Sequence, residues 1–197
     1  MTIKPGAANK KSRPGRLRIV AGKWRSRLLD IADVPGLRPT SERVRETLFN
    51  WLAPSIQGAR CLDLFAGTGA LGFEALSRGA TLVIFVENSR RAARAIEKSA
   101  QILDAAGAVV HRGDATDYLR DAAPASFDIV FLDPPFADDR LEELCGLVDA
   151  CGILAPGGRI YLEQDRAQPE APLPDRWHVL KNKTAGNVRY MLVEVAA

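Results

Sequence analysis

The sequence has few of the residues that carry metal, disulfide or membrane chemistry. Its 197 residues include three cysteines and two histidines, and no apolar run approaches the ~20 residues of a membrane-spanning helix. Cys61, Cys145 and Cys151 show no C-x-x-C spacing, and neither His111 nor His178 has a partner at ligand spacing. The N-terminus lacks the apolar segment of a secretory signal. We therefore expect reduced cysteines, no metal site and a cytoplasmic protein.

Acidic residues are absent from the first 29 positions. Nine Lys or Arg residues lie there, which leaves 18 basic and 24 acidic residues in the rest of the chain. A basic arm on an acidic body indicates that one end of the molecule meets a polyanion, although a solvated tail has the same composition. We expect a disordered basic tail over residues 1–15, a basic hairpin over 16–35 and one domain over 36–197.

The expected hairpin combines basic residues with one aromatic ring. Residues 16–21 alternate basic and apolar side chains as a half-buried strand does, residues 22–23 form a turn, and residues 25–31 return. Charged groups for phosphates and a ring for stacking suit a nucleic-acid contact. The candidate RNA-binding residues are Arg16, Arg18, Lys23, Trp24, Arg25 and Arg27. Trp24 is equally suited to the core of the hairpin.

The remaining pattern predicts an α/β fold. An amphipathic helix over residues 42–52, capped by Thr40 or Ser41, places Arg45 on its outer face. Buried strands then alternate with helices, and two strands without an intervening helix finish the chain. The strands are expected at residues 61–65, 82–86, 109–112, 127–132, 159–163, 177–181 and 188–195, and the helices at 70–78, 89–105, 116–121 and 139–150. We expect a mainly parallel, Rossmann-like sheet of about seven strands with an antiparallel C-terminal edge pair.

A glycine-rich turn follows the first of these strands. Residues 67–72 read G-x-G-x-x-G between a strand and a helix, where glycines permit a tight turn and the close approach of a ligand to backbone amides. Glu87 lies twenty residues after Gly67, at the tip of the next strand, where a carboxylate can accept both ribose hydroxyls. The candidate cofactor-binding residues here are Phe65, Gly67, Thr68, Gly69, Glu87 and Asn88. On these residues alone a dinucleotide is as suitable a ligand as any other nucleoside cofactor.

Three features favour S-adenosylmethionine over a dinucleotide. Asp63 lies in the strand before the glycine turn, where its carboxylate can meet an ammonium or a sulfonium, whereas a pyrophosphate would be repelled. Asp114 is placed to accept from the adenine amino group, and the amide of Ala115 can serve the ring. The third feature is the motif at residues 133–136, at the carboxyl end of a strand beside the glycine turn.

That motif, Asp133-Pro134-Pro135-Phe136, suits an exocyclic base amine. Such an amine is a poor nucleophile because its lone pair is delocalised into the ring. The carboxylate of Asp133 and the carbonyl of Pro134 can accept its two N–H groups and direct the lone pair at a methyl group, while Phe136 stacks on a base that has left its helix. These four residues are the candidate catalytic residues. A strand-ending turn is the alternative interpretation of the motif.

Several stretches of the chain together resemble one family. They are residues 18–25, 36–40, 43–46, 49–52, 63–75, 77–80 and 133–136. Here the chain is similar to the bacterial 16S ribosomal RNA (guanine-N2)-methyltransferases, which use S-adenosylmethionine and modify a guanine in the head of the small ribosomal subunit. The resemblance implies that Arg38 and Thr40 belong to the cofactor pocket, with 16S rRNA in the small subunit or an assembly intermediate as the substrate. We expect a monomer.

Other functions share parts of this pattern. A DNA adenine-N6 or cytosine-N4 methyltransferase would carry the same motif at residues 133–136, but usually needs a separate recognition region. A glutamine methyltransferase of release factors prefers Asn-Pro-Pro-Tyr, and a dinucleotide oxidoreductase needs a proton donor that is not evident here. A non-catalytic RNA-binding assembly factor would use the basic arm and leave residues 133–136 without a role.

Overall fold

The structure is a computed structural model that describes residues 15–32, 34, 37, 40–136 and 140–196. Its strands are β1 (Arg16–Arg18), β2 (Leu28–Asp30), β3 (Arg60–Asp63), β4 (Leu82–Glu87), β5 (Ala108–Arg112), β6 (Phe127–Leu132), β7 (Leu154–Asp165), β8 (Trp177–Ala185) and β9 (Val188–Val195). Its helices are α1 (Glu42–Trp51), α2 (Ala70–Ser77), α3 (Arg90–Leu103), α4 (Ala115–Asp121) and α5 (Leu141–Cys151). The predicted tail lies almost entirely outside the described residues.

One sheet of seven strands carries the fold, in the order β5-β4-β3-β6-β7-β9-β8. The pairs from β5 to β7 are parallel, and β9 runs antiparallel to both β7 and β8. The predicted Rossmann-like sheet with an antiparallel edge pair is confirmed. β7 is longer than predicted because Leu154 pairs with Phe127 of β6 and the strand continues to Asp165 beside β9. β8 is longer because it pairs with β9 as far as Ala185.

The two faces of the sheet are buried against different helices. One face packs against α1, α2, α3 and the N-terminal residues, and its side chains include Cys61, Phe85, Phe131 and Tyr161. The other face packs against α4 and α5 through a separate apolar cluster. Because side chains alternate along a strand, the near-continuous apolar runs supply both cores at once.

The N-terminal strands form a small antiparallel pair, in which Arg16 is opposite Asp30 and Arg18 is opposite Leu28. They are shorter than predicted, because residues 19–27 form turns closed by a 3.0 Å hydrogen bond from the Ile19 amide to the Arg27 carbonyl. The apolar side chains of this pair join the core under α1 and α2. The proposed division into tail, hairpin and domain remains a prediction.

Arg45 corrects the expected orientation of α1. The prediction placed this side chain outward, but it is 1% exposed. Its guanidinium donates to Glu74 Oε2 at 3.1 Å and to the carbonyls of Arg18 and Thr40 at 2.8 and 3.1 Å. Hydrogen-bond partners on three other segments, of which Glu74 is fully buried, therefore override the helical pattern. The predicted cap is confirmed, since the Ser41 hydroxyl accepts from the Val44 amide at 3.3 Å.

Among the helices of the described chain, none combines the length and the hydrophobicity of a membrane span. The thiols of Cys61, Cys145 and Cys151 are free. No three His, Cys, Asp or Glu side chains of the residues that the structure covers are grouped to hold a metal ion.

Candidate functional site

The candidate residues gather at the carboxyl edge of the central strands. From β3 the sheet is extended in one direction by β4 and β5 and in the other by β6 and β7. The chain therefore reverses its direction of winding between β3 and β6. In open α/β sheets this point leaves a crevice at the carboxyl ends of the strands, and ligands bind there.

The glycine turn joins β3 to α2 in a conformation that requires glycine. Gly67 and Gly69 have φ of +53° and +76°, a region that other residues rarely adopt. A Cβ added to Gly72 would lie 2.1 Å from Cε1 of Phe85, so α2 can approach β4 only with glycine there. Asp63 accepts a hydrogen bond from the Gly72 amide at 3.1 Å. The first turn of α2 is thereby held against the end of β3.

Asp63 is a buried acid, 2% exposed. Burial raises the pKa of its carboxyl group to about 7, the Gly72 hydrogen bond opposes the rise, and the charge of Glu87 adds to it. Asp63 therefore suits a site that receives a cationic group. Its predicted contact with the cofactor remains a prediction.

Glu87 closes the glycine turn from the end of β4. Its carboxylate accepts from the Gly67 amide at 2.8 Å and from the Ser89 amide at 2.7 Å. The half-buried side chain therefore lies beside the loop to which the sequence assigned it, while neighbouring Asn88 is exposed. Phe65 and Thr68 are half-buried in the same turn.

Asp114 begins α4 at the end of the next strand outward. Its Oδ1 accepts from the Thr116 amide at 2.8 Å and from the Thr116 hydroxyl. The hydroxyl contact is the largest cause that lowers the pKa of this carboxyl group. Asp114 is exposed and Ala115 is buried. The helix cap gives Asp114 a structural role in addition to its predicted adenine contact.

Residues 133–136 leave β6 at the crevice. Asp133 and Phe136 are half-buried, Pro134 is buried and Pro135 is exposed. Asp133 Oδ2 accepts from the Thr40 hydroxyl at 3.4 Å, so Thr40 lies at this motif. Burial raises the pKa of Asp133 well above its usual range, and the charges of Glu163 and Asp63 raise it further.

Glu163 is a member of this site that the sequence interpretation missed. It lies on β7 beside Asp133, is 5% exposed and accepts from the Tyr161 hydroxyl at 2.6 Å. Burial raises the pKa of its carboxyl group to about 6. An acid at the last position of a predicted buried strand was the available signal, because the carboxyl ends of parallel strands face the ligand crevice.

The predicted RNA-binding residues are mostly on the surface. The side chains of Arg16, Arg18, Lys23, Arg25 and Arg27 are exposed. Trp24 is 8% exposed and belongs to the core, which favours the alternative that it supports the hairpin. The Nζ atom of Lys23 lies 5.3 Å from the centroid of the ring.

The structure therefore brings together Asp63, Glu87, Asp133 and the glycine turn, with Asp114 at the next strand end. Arg38, assigned to the cofactor pocket, lies outside the described residues. Arg45 connects the hairpin to this site, because it donates to the carbonyls of both Arg18 and Thr40.

Comparison with known proteins gives matches over nearly the whole chain. The family model described as "Conserved hypothetical protein 95" matches residues 17–194. Ribosomal RNA small subunit methyltransferase D of Escherichia coli K12 is 44% identical over 180 residues, which cover 91% of this chain and 90% of the relative. The protein of the same name from Haemophilus influenzae is 43% identical over 183 residues, with 91% and 94% coverage.

A solved structure agrees with these matches. The structure of yhhF from Escherichia coli superimposes with a TM-score of 0.85 at 40% identity and covers 93% of this chain and 99% of that chain. With a family model over most of its length and relatives above 40% identity, the chain belongs to the family that includes the ribosomal RNA small subunit methyltransferase D proteins of these two bacteria.

Proposed function

We propose that the protein transfers a methyl group from S-adenosylmethionine to the exocyclic N2 amine of a guanine in 16S rRNA of the small ribosomal subunit. The chain is an S-adenosylmethionine-dependent methyltransferase by family, and its relatives are named for small-subunit ribosomal RNA. The observation that carries the finer proposal is the position of Asp133 and Pro134 at the crevice beside the glycine turn.

The residues at β3 and β4 fit the cofactor. Gly67 and Gly69 permit backbone to approach a ligand closely, and Glu87 offers carboxylate oxygens at the position expected for ribose. Asp63 supplies a buried negative charge toward a cationic group. When bound, S-adenosylmethionine supplies a methyl group on a positively charged sulfur with a neutral leaving group.

Asp133 and Pro134 prepare the amine. The Asp133 carboxylate and the Pro134 carbonyl accept its two N–H groups, which draws the nitrogen toward tetrahedral geometry and frees its lone pair. Phe136 stacks on the base once the base has left its helix. Positioning of this kind supplies the rate without a covalent intermediate. The proton left on the methylated nitrogen passes to Asp133.

The basic hairpin is proposed to bind the RNA around the target base. Its exposed arginines lie on the segment that Arg45 connects to Thr40, and Thr40 contacts Asp133. Phosphate contacts made there would hold the substrate next to the site. We propose that the protein acts on the subunit or an assembly intermediate, and as a monomer.

Labelled S-adenosylmethionine offered with unmodified small subunits, naked 16S rRNA and duplex DNA tests this proposal. The labelled nucleotide and atom are then mapped. Label on guanine N2, strongest in the subunit, is the expected result. Label on adenine N6 or cytosine N4 would replace the proposed substrate with that of a DNA methyltransferase. Cofactor binding without transfer to any of the three would favour an assembly factor.

A further inference from the structure

Asp133 has a second buried acid beside it, and the preparation of the amine described above leaves that acid unused. Leu132 pairs with Leu162 in the register of β6 and β7, so Asp133 and Glu163 are the next residues on two parallel strands. Neighbouring strands lie about 4.8 Å apart. Carboxyl groups on neighbouring strands influence each other's charge, and the charge of Glu163 raises the pKa of Asp133.

The described groups around the two acids provide few donors. Thr40 contacts Asp133 and also Glu163, and a hydroxyl has one hydrogen to donate. Tyr161 donates to Glu163 at 2.6 Å. A single threonine hydrogen cannot serve both carboxylates at once, so these donors leave the charges of the two acids only partly compensated.

The other charged and titratable groups that the structure describes near the pair do not neutralise it. The charge of Asp63 on β3 raises the pKa of Asp133 further, and Tyr161 on β7 donates its phenol hydrogen to Glu163. Arg45 reaches the segment through the Thr40 carbonyl, but its guanidinium is paired with Glu74. None of these described groups offsets the negative charge of the pair.

We propose, in an inference that rests on the proposed function, that Glu163 is a positioning residue whose negative charge strengthens Asp133 as the proton acceptor for the target amine. The amine nitrogen bonds to the methyl carbon as the carbon–sulfur bond breaks, and the sulfur keeps that electron pair. The nitrogen is then cationic and gives one proton to the Asp133 carboxylate. Glu163 favours this transfer because a proton on Asp133 removes the repulsion between two adjacent charges.

Glu163→Gln tests the inference because glutamine keeps the shape and an oxygen acceptor for Tyr161 but carries no charge. Single-turnover methyl transfer is measured across pH for the full-length protein with small subunits. The acid limb of the rate profile is expected to shift by about one unit to lower pH, because Asp133 loses the neighbouring charge and its pKa falls. The affinity for S-adenosylmethionine should be retained. Asp165→Asn, the same change two residues along β7, is the matched control and leaves the profile in place.

An equal loss of rate at every pH, or an unchanged profile, would overturn the inference, because a merely structural glutamate would not shift the limb. Glu163→Asp withdraws the charge by one methylene and should shift the limb less. Glu163→Asp also replaces Glu163→Gln as the test variant if the glutamine variant does not fold.

Infrared titration of the carboxyl groups provides a readout that does not depend on activity. In the wild type, one carboxyl group is expected to lose its proton at unusually high pH. This high-pH titration step should disappear in Asp133→Asn and move to lower pH in Glu163→Gln. A high-pH titration step that stays in place in Glu163→Gln would also overturn the inference. Failure of the wild type to label guanine N2 would overturn the proposed function, while this titration would still decide whether the two acids are coupled.

Discussion

Glu74 on α2 and Glu163 on β7 are both buried, at 0% and 5% exposed, yet the fold surrounds them with opposite chemistry. Glu74 accepts from the amides of Val20 and Ala21 at 2.9 and 3.0 Å, and from Arg45 and Arg78 at 3.1 and 2.8 Å. These groups form the hairpin anchor. Four donors, two of them cationic, compensate the carboxylate fully.

Among the described residues, the carboxyl pair of Asp133 and Glu163 instead has two hydroxyl donors, and a third acid, Asp63, lies nearby. An ionised group buried with so few partners costs stability. The anchor therefore stabilises the fold, whereas the carboxyl pair leaves acceptor capacity for a ligand that brings its own N–H groups.

Loss of Asp133 tests the functional side of this comparison and should have the largest effect. Asp133→Ala is expected to reduce methyl transfer by about 10²- to 10⁴-fold, the usual contribution of a positioned proton acceptor. S-adenosylmethionine affinity should stay near the wild-type value, and the free energy of unfolding should not fall, because the change removes a carboxylate with few partners. Transfer assays, calorimetric titration and denaturant unfolding measure the three quantities.

Asp128→Asn, at the other end of β6, is the control for Asp133→Ala and should leave transfer unchanged. Activity that survives in Asp133→Ala would mean that this carboxylate does not hold the amine.

Loss of the anchor carboxylate tests the structural side. Glu74→Gln leaves the buried guanidinium of Arg45 without its counter-charge, so the free energy of unfolding should fall by about 3 kcal/mol. Asp117→Asn removes an ion pair whose side chains are 63% and 74% exposed and should change stability by less than about 1 kcal/mol. Equal effects of the two changes in denaturant unfolding would remove the distinction between the anchor and the surface pairs.

The pH dependence of the free energy of unfolding reveals a buried acid, such as Asp63, whose charge has no cationic partner among the described residues. The pKa of Asp63 rises from 3.8 to about 7 on folding, so the folded protein binds more protons between these values and loses stability as pH rises. Asp63→Asn does not titrate. Its unfolding free energy relative to wild type should therefore increase by about 2 kcal/mol or more between pH 4 and pH 8.

Unfolding curves at several pH values measure this difference, and a difference that is constant with pH would contradict the prediction. Glu163, with its pKa raised to about 6, adds to the same trend in the wild type.

The exposed arginines should have the smallest effect, because they lie on the anchored hairpin without contributing to the anchor. Arg25→Ala combined with Arg27→Ala should weaken RNA binding and reduce the salt slope by about one for each phosphate that the protein no longer neutralises. Arg120→Ala on α4 is the control and should leave the slope unchanged. Removing residues 1–27 is a poorer test, because it also removes the donors to Glu74.

Local patterns were sufficient to predict the sheet and the glycine turn. Strands buried on both faces appear as continuous apolar runs, and the turn requires glycine wherever it occurs. The extent of β7 was not predictable in this way. Residues 154–158 read as a loop because of Pro156, Gly157 and Gly158, and their place in the sheet depends on pairing with distant strands.

Side chains whose burial depends on distant partners were also beyond prediction. Arg45 matched the polar face of α1, and its burial depends on contacts with Glu74, 29 residues away, and with the Arg18 carbonyl, 27 residues away. The sequence left Trp24 undecided between core and surface. In the structure its amide donates a 3.0 Å hydrogen bond to the hydroxyl of Ser77, a residue far away in the sequence. Glu163 joined the site through the register of β6 and β7, which no single stretch of sequence specifies.

The anchor also has a consequence for how the chain is made. The amides of Val20 and Ala21 meet Glu74 across 54 and 53 positions, so the hairpin is synthesised well before the helix that fixes it. An isolated strand pair is marginally stable in water. While the ribosome adds the next fifty or so residues, the arginines of the hairpin belong to a nascent segment without its anchor. They acquire a fixed position beside the crevice only once α2 has been translated.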